Sequence, residues 1–317
     1  MLKNLHKKIA HYRSREPSVL TADFDNDAAM KKARSVQEQC FAELDSSDKK
    51  QGRAFPSYTC MVDFAEQSGC KSVLEIGAGL STAVWASFAE RTGAEIRTVD
   101  ASFAPLKAFI RGTRHEEEVS SNVQLIEGAT ICCDEMVEFY SNDLPTVYGG
   151  VDVVSFLDNI DKFQSRHCSA GRWQRVSDIA GRWDWTARDL LTRDSSLVLP
   201  PPLLDMYSSG RDFANEINFL KDLDSRGKGG VIDKLIADGI SWDLIFFDSG
   251  ELASIIEWTK LKSRITVGGY AAFHDIFFPK SIKNIIPCAA LLADPDWRMV
   301  FCDDSTKQGL LIAQRLR

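Results

Sequence analysis

The sequence predicts an α/β fold, with a doubly wound, mostly parallel sheet of seven strands, helices on both faces and an antiparallel last strand. Short apolar runs of strand length alternate with segments of helical periodicity along most of the chain. The first run enters a Gly-rich turn at 77–79, as a buried parallel strand does before a helix. The last two runs are joined by residues 303–308, a link too short for a parallel crossover, so this pair must be antiparallel.

The individual elements follow from apolar periodicity and from turn residues. The first helix has Met61 and Phe64 on its inner face and ends before Gly69. The run 244–247 is apolar throughout, which indicates a strand buried on both faces. Strands are predicted at 72–76, 96–100, 123–126, 243–248, 270–273, 297–302 and 309–314. Helices are predicted at 57–68, 81–92, 103–111, 230–239, 250–262 and 280–292, with a charged loop at 114–118.

Residues 130–229 interrupt the alternation, and we interpret them as an insertion beside the sheet. They hold two Gly-Arg-Trp triplets and three consecutive prolines. The tryptophans favour a small core of the insertion's own. Inserted segments beside a ligand crevice often act as a lid over the substrate. The run 151–157 also resembles a fourth parallel strand, which would move the boundary of the insertion.

Residues 1–53 are predicted to form an N-terminal helical extension ahead of the α/β domain, which comprises 54–129 and 230–317. Apolar residues recur at helical spacing within 1–16, among basic side chains. Such a helix can bind anionic lipid, but docking on its own domain or on a sister subunit is favoured. The extension therefore suggests a homodimer.

The composition disfavours several classes of protein. The 317-residue chain has a net charge of −7, which argues against a nucleic-acid partner because the phosphate backbone is also negative. No apolar run is long enough to span a membrane, and the N-terminus has no secretory signal pattern. The eight cysteines are scattered without metal or disulfide spacing, so we expect reduced thiols and a cytoplasmic location.

Polar or small residues stand at the carboxyl ends of five predicted strands, where open α/β sheets bind their ligands. Glu75 precedes the first turn. Asp100 ends the second strand, where a carboxylate can accept both hydroxyls of a ribose. The other three ends carry Gly128 and Ala129, then Asp248, then His274 and Asp275. Each acid alone could be a helix cap or a solvated side chain, but the recurrence of polar or small residues at five strand ends favours a nucleotide-type ligand.

This pattern resembles the class I S-adenosylmethionine (SAM)-dependent methyltransferases. The matching text is VLEIGAGLST, RTVDAS, LIEGA, WDLIFFD and VGGYAAFHD, followed by the closing antiparallel strand. It covers 55–129 and 230–317, about half of the chain. The His-Asp ending is similar to a branch with small-molecule and sugar O-methyltransferases. The resemblance implies a Rossmann-like domain whose seventh strand is antiparallel, and it implies SAM as the cofactor.

The resemblance also implies which residues hold the cofactor. Glu75, Gly77, Ala78 and Gly79 would line its amino-acid end, Asp100 and Ala101 would hold the ribose, and Gly128 and Ala129 would lie near the adenine. The sequence departs from the family pattern in three places. Ser81 replaces the usual third glycine but can still cap the helix. The acid that often follows the third strand and binds the adenine amine is absent at 128–129, since Glu127 comes one position early. In addition, no histidine follows Asp248.

A hydroxyl acceptor must lose a proton during methyl transfer, and His274 is the predicted general base because histidine titrates near neutrality. The alternative for His274 is a structural histidine bonded to backbone. Asp248 is the second predicted catalytic residue. Asp248 and Asp275 together would hold Mg²⁺, with a third ligand such as Asp158 from the insertion. The expected acceptor is a small hydroxylated molecule, such as a sugar or natural product, under the insertion.

Three other functions stay open at this point. A NAD-dependent oxidoreductase would need a third glycine where Thr82 stands, and the antiparallel closing pair also argues against it. A methyltransferase-like module without turnover, which binds a partner through the insertion, is compatible with the departures from the family pattern. A nucleic-acid methyltransferase is disfavoured by the net charge of −7.

Overall fold

A computed structural model describes residues 55–139, 210–250, 253–276, 283–303 and 309–317. The predicted N-terminal extension, the run 151–157, the Gly-Arg-Trp triplets and Asp158 lie outside these residues. Among the described residues, no helix combines the length and the apolar character needed to cross a membrane.

Seven strands form one sheet, as the sequence predicts. They are β1 (Ser72–Ile76), β2 (Glu95–Asp100), β3 (Val123–Glu127), β4 (Trp242–Phe247), β5 (Ile265–His274), β6 (Trp297–Asp303) and β7 (Leu310–Arg315). Their order across the sheet is β3-β2-β1-β4-β5-β7-β6. The first five strands pair in parallel, whereas β7 pairs antiparallel with both β5 and β6. The described sheet is therefore the doubly wound, mostly parallel sheet with an antiparallel last strand.

The described helices connect the strands and cover both faces of the sheet. They are α1 (Phe55–Gln67), α2 (Leu80–Thr92), α3 (Ala104–Ile110), α4 (Arg114–Asn122), α5 (Cys133–Glu138), α6 (Gly210–Ser225), α7 (Val231–Ala237), α8 (Ala253–Leu261) and α9 (Ile285–Ala293). One core holds Val73, Leu244 and Phe246 against α1 to α4. The other holds Leu74, Ile245 and Phe247 against α7 to α9. Successive residues of β1 and β4 thus enter opposite cores, which is why these strands are apolar throughout.

The predicted charged loop at 114–118 is wrong, because this stretch begins helix α4. Thr113 is the N-cap, and its hydroxyl accepts a hydrogen bond from the backbone N–H of His115. Glu116 and Glu117 lie in the first turn, where negative charge favours a helix. The sequence carries the signal, since a threonine followed three residues later by a glutamate is typical of a helix start.

Strand β5 is longer than predicted, because it begins at Ile265 rather than at Tyr270. Gly268 and Gly269, which the prediction placed ahead of the strand, lie within it. The register against β4 shifts between Trp242 and Leu244, and Gly268 has a φ of 85°. The two glycines therefore form an irregularity inside the strand, a common role for glycine in sheets.

Both described ends of the predicted insertion are packed against the α/β domain. Leu220 and Leu223 of α6 are buried in the same core as α7 and α8. The carboxylate of Asp224 accepts a hydrogen bond from the backbone N–H of Cys133 at 2.6 Å. The backbone N–H of Ala129 donates to the carbonyl of Lys228 at 2.7 Å. Residues 130–139 and 210–229 thus contribute to the folded domain, whereas 140–209 lie outside the described residues.

Candidate functional site

The register of the parallel strands brings the predicted site residues to one edge of the sheet. Ile76 of β1 lies opposite Val99 of β2 and opposite Phe247 of β4, and Phe247 lies opposite Phe273 of β5. The residue after each of these begins the ligand edge. That edge carries Gly77, Asp100, Asp248 and His274.

The Gly77 turn lies against the end of β4. Gly77 has a φ of 95°, and a Cβ built there would stand 2.3 Å from the carbonyl oxygen of Asp248. Only glycine fits this position, because a side chain would be strained and would collide with backbone. Gly79 differs, since a Cβ there meets no atom within 4 Å. The turn thus has a closed side at Gly77 and an open side at Gly79, where a ligand can approach.

Glu75 lies beneath this turn rather than on its surface. It is fully buried, and its Oε2 accepts hydrogen bonds from the hydroxyls of Thr82 and Thr98, each at 2.7 Å. Burial raises its pKa to about 8, although the hydroxyls of Ser81, Thr98 and Thr82 act in the opposite direction. Glu75 is therefore protonated near neutrality and supports the turn from below.

The sequence suggested Ser81 as a cap of helix α2, but Ser81 is not the N-cap. The N-cap is Gly79, and the hydroxyl of Thr82 accepts its backbone N–H at 3.0 Å. Ser81 is buried within the first turn of the helix. Thr82 links the cap to Glu75, because the same hydroxyl donates to that carboxyl. The position where a dinucleotide fingerprint has its third glycine thus holds a buried threonine.

Asp100 joins the end of β2 to the Gly-rich turn. Its Oδ2 accepts the backbone N–H of Ala78 at 2.7 Å, and its Oδ1 accepts the N–H of Ser102 at 2.8 Å. Partial burial raises its pKa, although these two donors act in the opposite direction. A carboxylate has about four acceptor sites, so two lone pairs stay available to a ligand. Ala101, also predicted at the ribose, is half-buried against the core beneath.

The small residues after β3 are explained by packing between chain segments. A Cβ at Gly128 would stand 2.6 Å from Val231 Cγ2 and 2.8 Å from the carbonyl oxygen of Lys228. Ala129 is buried in the core. Beside them, the Glu127 carboxylate pairs with the Lys228 ammonium at 2.5 Å, and this contact lowers the pKa of Glu127. The placement of adenine near Gly128 and Ala129 stays a prediction.

Asp248 is the centre of a charged cluster at the ends of β4 and β5. Its Oδ1 lies 2.6 Å from the Lys283 ammonium and 3.2 Å from His274 Nδ1. Its Oδ2 accepts the hydroxyl of Tyr58 at 3.1 Å. Burial alone would raise the pKa of Asp248, but Lys283 and His274 hold it well below its usual range. Tyr58 stays a donor, because burial and the Asp248 charge raise its pKa.

His274 is a buried histidine, and one nitrogen of its ring contacts two carboxylates. Its Nδ1 faces Asp248 and, at 3.5 Å, Asp275. Its Nε2 has no hydrogen-bond partner among the described residues. Burial lowers the pKa of His274, but the two carboxylates raise it above its usual value. A neutral ring with its proton on Nδ1 would leave Nε2 as a proton acceptor, which is the arrangement of an oriented general base.

Lys283 and Asn284 complete the cluster, and neither was predicted from the sequence. The Lys283 ammonium also lies 3.3 Å from Asp275 Oδ2. Asn284 is buried, and its amide donates to the carbonyl of His274 at 2.5 Å and to that of Phe247 at 3.3 Å. The hydroxyl of Ser254 donates to the Asn284 side chain. These contacts fix the segment before α9 to the ends of β4 and β5.

A second buried acid, Glu257 of α8, joins two loops of the ligand edge. It accepts hydrogen bonds from the hydroxyl of Thr130, at 2.5 Å, and from that of Ser249. Burial raises its pKa to about 7, although both hydroxyls lower it. Glu257 was also missed from the sequence, because a glutamate on a helix gives no signal of its burial.

Asp248, His274 and Asp275 are close enough together to be considered as ligands of a metal ion. Atoms of Asp248, His274 and Asp275 lie within 4.8 Å of one another, close enough to share a cation. However, Mg²⁺ takes oxygen ligands in octahedral geometry, and one of the three groups here is an imidazole. The Lys283 ammonium already contacts both carboxylates. The described residues therefore fit an ammonium better than Mg²⁺.

The fold and this edge define an α/β protein of the seven-stranded, doubly wound class with a Gly-rich turn beside an acid–histidine–lysine cluster. The sequence matches no protein-family model and no curated protein. Solved structures with similar architecture have 11–15% identity and TM-scores of 0.38–0.41. Because these identities and TM-scores are low, the fold is assigned from the strand order of the sheet and not from the similarity to these structures.

Three of these structures illustrate the range. An O-methyltransferase described as putative, from Klebsiella pneumoniae, is 12% identical, with a TM-score of 0.38 over 98% of this chain and 96% of that one. A methyltransferase from Podospora anserina, with SAH bound, is 15% identical, with a TM-score of 0.41 over 96% and 99%. An O-methyltransferase from Bacillus cereus, in complex with SAH, is 12% identical, with a TM-score of 0.38 over 94% of both chains.

Proposed function

We propose that this protein is a SAM-dependent methyltransferase that methylates a hydroxyl of a small molecule. One observation carries the proposal: the closed side of the Gly77 turn lies directly against the backbone of Asp248, whose side chain orients His274. A cofactor on the open side of that turn would thus be close to a proton acceptor. Such proximity is what transfer of a group to a hydroxyl requires.

Each part of the ligand edge has a proposed role. The open side at Gly79 and the free acceptor positions of Asp100 would hold the amino-acid end and the ribose of the cofactor. Bound SAM would supply a methyl group on a positively charged sulfur, and the electrons of the broken carbon–sulfur bond would stay on that sulfur. His274 would take the proton of the acceptor hydroxyl. Asp248 would keep the histidine in the tautomer that leaves Nε2 free.

The chemistry of the ligand edge favours a hydroxylated acceptor. A proton acceptor beside the turn suits a hydroxylated substrate, such as a sugar or natural product. The insertion predicted at 130–229 is proposed to cover it with residues 140–209, the part outside the described residues. Mg²⁺ has no part in the proposed reaction, because Lys283 contacts both acids that would bind it.

The test is calorimetric titration of the full chain with S-adenosylhomocysteine (SAH). We expect micromolar binding, about −8 kcal/mol, and at least a tenfold loss for Asp100→Ala. Glu95→Ala is the matched control, because Glu95 is an exposed acid at the opposite end of the same strand. Glu95→Ala should bind as the wild type does.

The same titration distinguishes the alternatives. Absence of SAH binding at millimolar concentration would overturn the proposal, and binding of NAD⁺ instead would favour an oxidoreductase. SAH binding that His274→Gln retains, together with loss of methyl transfer from labelled SAM to a panel of hydroxylated acceptors, would support His274 as the base. If the wild type binds SAH but methylates no acceptor in the panel, a binding module without turnover is favoured.

A further inference from the structure

Lys283 places an ammonium group inside the candidate site. Its side chain is about 6% exposed, and its ammonium contacts carboxylates from the ends of two neighbouring strands. A buried ammonium is unfavourable unless it is paired and hydrogen-bonded. Asp248 and Asp275 supply that pairing, and Asn284 fixes the adjoining backbone to the same strand ends.

The backbone of Asp275 adopts an uncommon conformation beside Lys283. Asp275 has a φ of 60°, the one positive φ at a non-glycine residue in the part of the chain that the structure describes. Aspartate tolerates this conformation better than most residues, but it still costs energy. The conformation accompanies a side chain that reaches both Lys283 and His274.

Lys260 gives a useful comparison, because it also bridges two carboxylates. Its ammonium pairs with Glu135 and Asp233, which lie on helices α5 and α7. No strand end and no histidine takes part in these Lys260 contacts. Lys283 differs because one of its partners, Asp248, is also the residue that orients His274.

We propose that the Lys283 ammonium is the resident cation of this site, in the position where a divalent metal would otherwise bridge Asp248 and Asp275. The acceptor oxygen would be oriented and its developing negative charge stabilised by this ammonium, so that methyl transfer needs no metal ion. The part about the acceptor rests on the proposed function, whereas the part about the cation site does not. Removal of the ammonium should leave two carboxylates and an imidazole, which Mn²⁺ accepts more readily than Mg²⁺ does.

The test is titration of the full chain with Mn²⁺, followed by electron paramagnetic resonance, for the wild type, Lys283→Ala and Lys260→Ala. We expect no Mn²⁺ binding up to millimolar concentration in the wild type, and a single submillimolar site in Lys283→Ala. Lys260→Ala, the matched control, should bind none. Adding Asp275→Asn to Lys283→Ala should remove the site, since asparagine tolerates the positive φ but lacks the charge.

Two results would overturn the inference. One is Mn²⁺ binding by the wild type that Asp275→Asn abolishes, because Lys283 would then not occupy the cation position. The other is absence of Mn²⁺ binding in a Lys283→Ala or Lys283→Gln protein whose circular dichroism shows that it is folded. If both Lys283 variants fail to fold, the wild-type titration alone tests the inference: Mn²⁺ binding that Asp275→Asn abolishes would overturn it, and absence of Mn²⁺ binding would support it. Failure of SAH binding would refute the proposed function alone, since the Mn²⁺ measurement involves neither cofactor nor acceptor.

Discussion

The buried carboxyl group of Glu75, in strand β1, makes the stability of the protein depend on pH. Its pKa is about 8 in the folded protein, against an ordinary value of 4.5. Between these values the folded chain holds a proton that the unfolded chain releases, so the free energy of unfolding should fall as the pH rises. The slope is at most about 1.4 kcal/mol per pH unit for one group.

Glu75→Gln should make this decline shallower, because glutamine is neutral at every pH and has a similar shape. Urea unfolding at pH 5.5 and pH 8 measures the difference. Glu257, whose pKa is about 7, should leave part of the slope in the variant. Glu95→Gln, an exposed acid on β2, should show the slope of the wild type. An equal slope in Glu75→Gln and wild type would contradict the assigned protonation.

At the residue scale, sequence could predict only the groups that stand beside a strand end. His274, Asp248 and Asp275 were found in this way, and the structure brings all three together. Tyr58 was missed because it donates to Asp248 across 190 positions of sequence. Lys283 was missed because a lysine ahead of a helix is usually solvated, and its burial depends on packing that periodicity does not encode.

At the scale of elements, the two glycines of the turn between β1 and α2 differ, because packing requires Gly77 whereas Gly79 lies on the side proposed for the cofactor. Gly77→Ala should destabilise the protein by at least about 2 kcal/mol, because it combines a positive φ with a backbone collision. Gly79→Ala should cost only about 0.5–1 kcal/mol, the loss expected at an N-cap. Its SAH affinity should nevertheless fall at least tenfold, since the new methyl group enters the space proposed for the cofactor.

Urea unfolding and SAH titration of the two variants together test this difference. Each variant is the control for the other, because both add one methyl group to the same turn. Unchanged SAH affinity in Gly79→Ala would place the cofactor elsewhere. Sequence alone treated the two glycines alike, since the difference arises from the approach of the β4 end to Gly77. Similarly, the charged residues 114–118 were predicted as a loop, whereas Thr113 caps helix α4 at this point.

At the scale of the whole molecule, the sequence predicted the seven strands and the antiparallel closure. Local periodicity supplied the strands, and the short link before β7 supplied the direction. The order across the sheet could not be read from periodicity, because it depends on pairing between distant segments. The same limit applies to the ends of the insertion, where α6 looks polar in sequence but buries Leu220 and Leu223 in the core.

The packing of residues 130–139 and 210–229 against the α/β domain predicts different outcomes for two deletions. Replacement of 140–209 by a short Gly-Ser linker should leave a folded protein that binds SAH, because all seven described strands and the packing of α5 against α6 are retained. Deletion of 140–228 should abolish folding, because it removes Leu220, Leu223 and the Lys228 carbonyl that accepts from Ala129. Circular dichroism and SAH titration measure both outcomes.

The shorter deletion also tests the predicted lid, provided that methyl transfer by the wild type has been established with an acceptor. If 140–209 cover the acceptor, the deleted protein should keep wild-type SAH affinity and lose methyl transfer, since water would enter and the acceptor would lose its wall. A deleted protein that binds SAH and still methylates at the wild-type rate would show that the segment has no part in catalysis. The acceptor would then be held by residues outside 140–209.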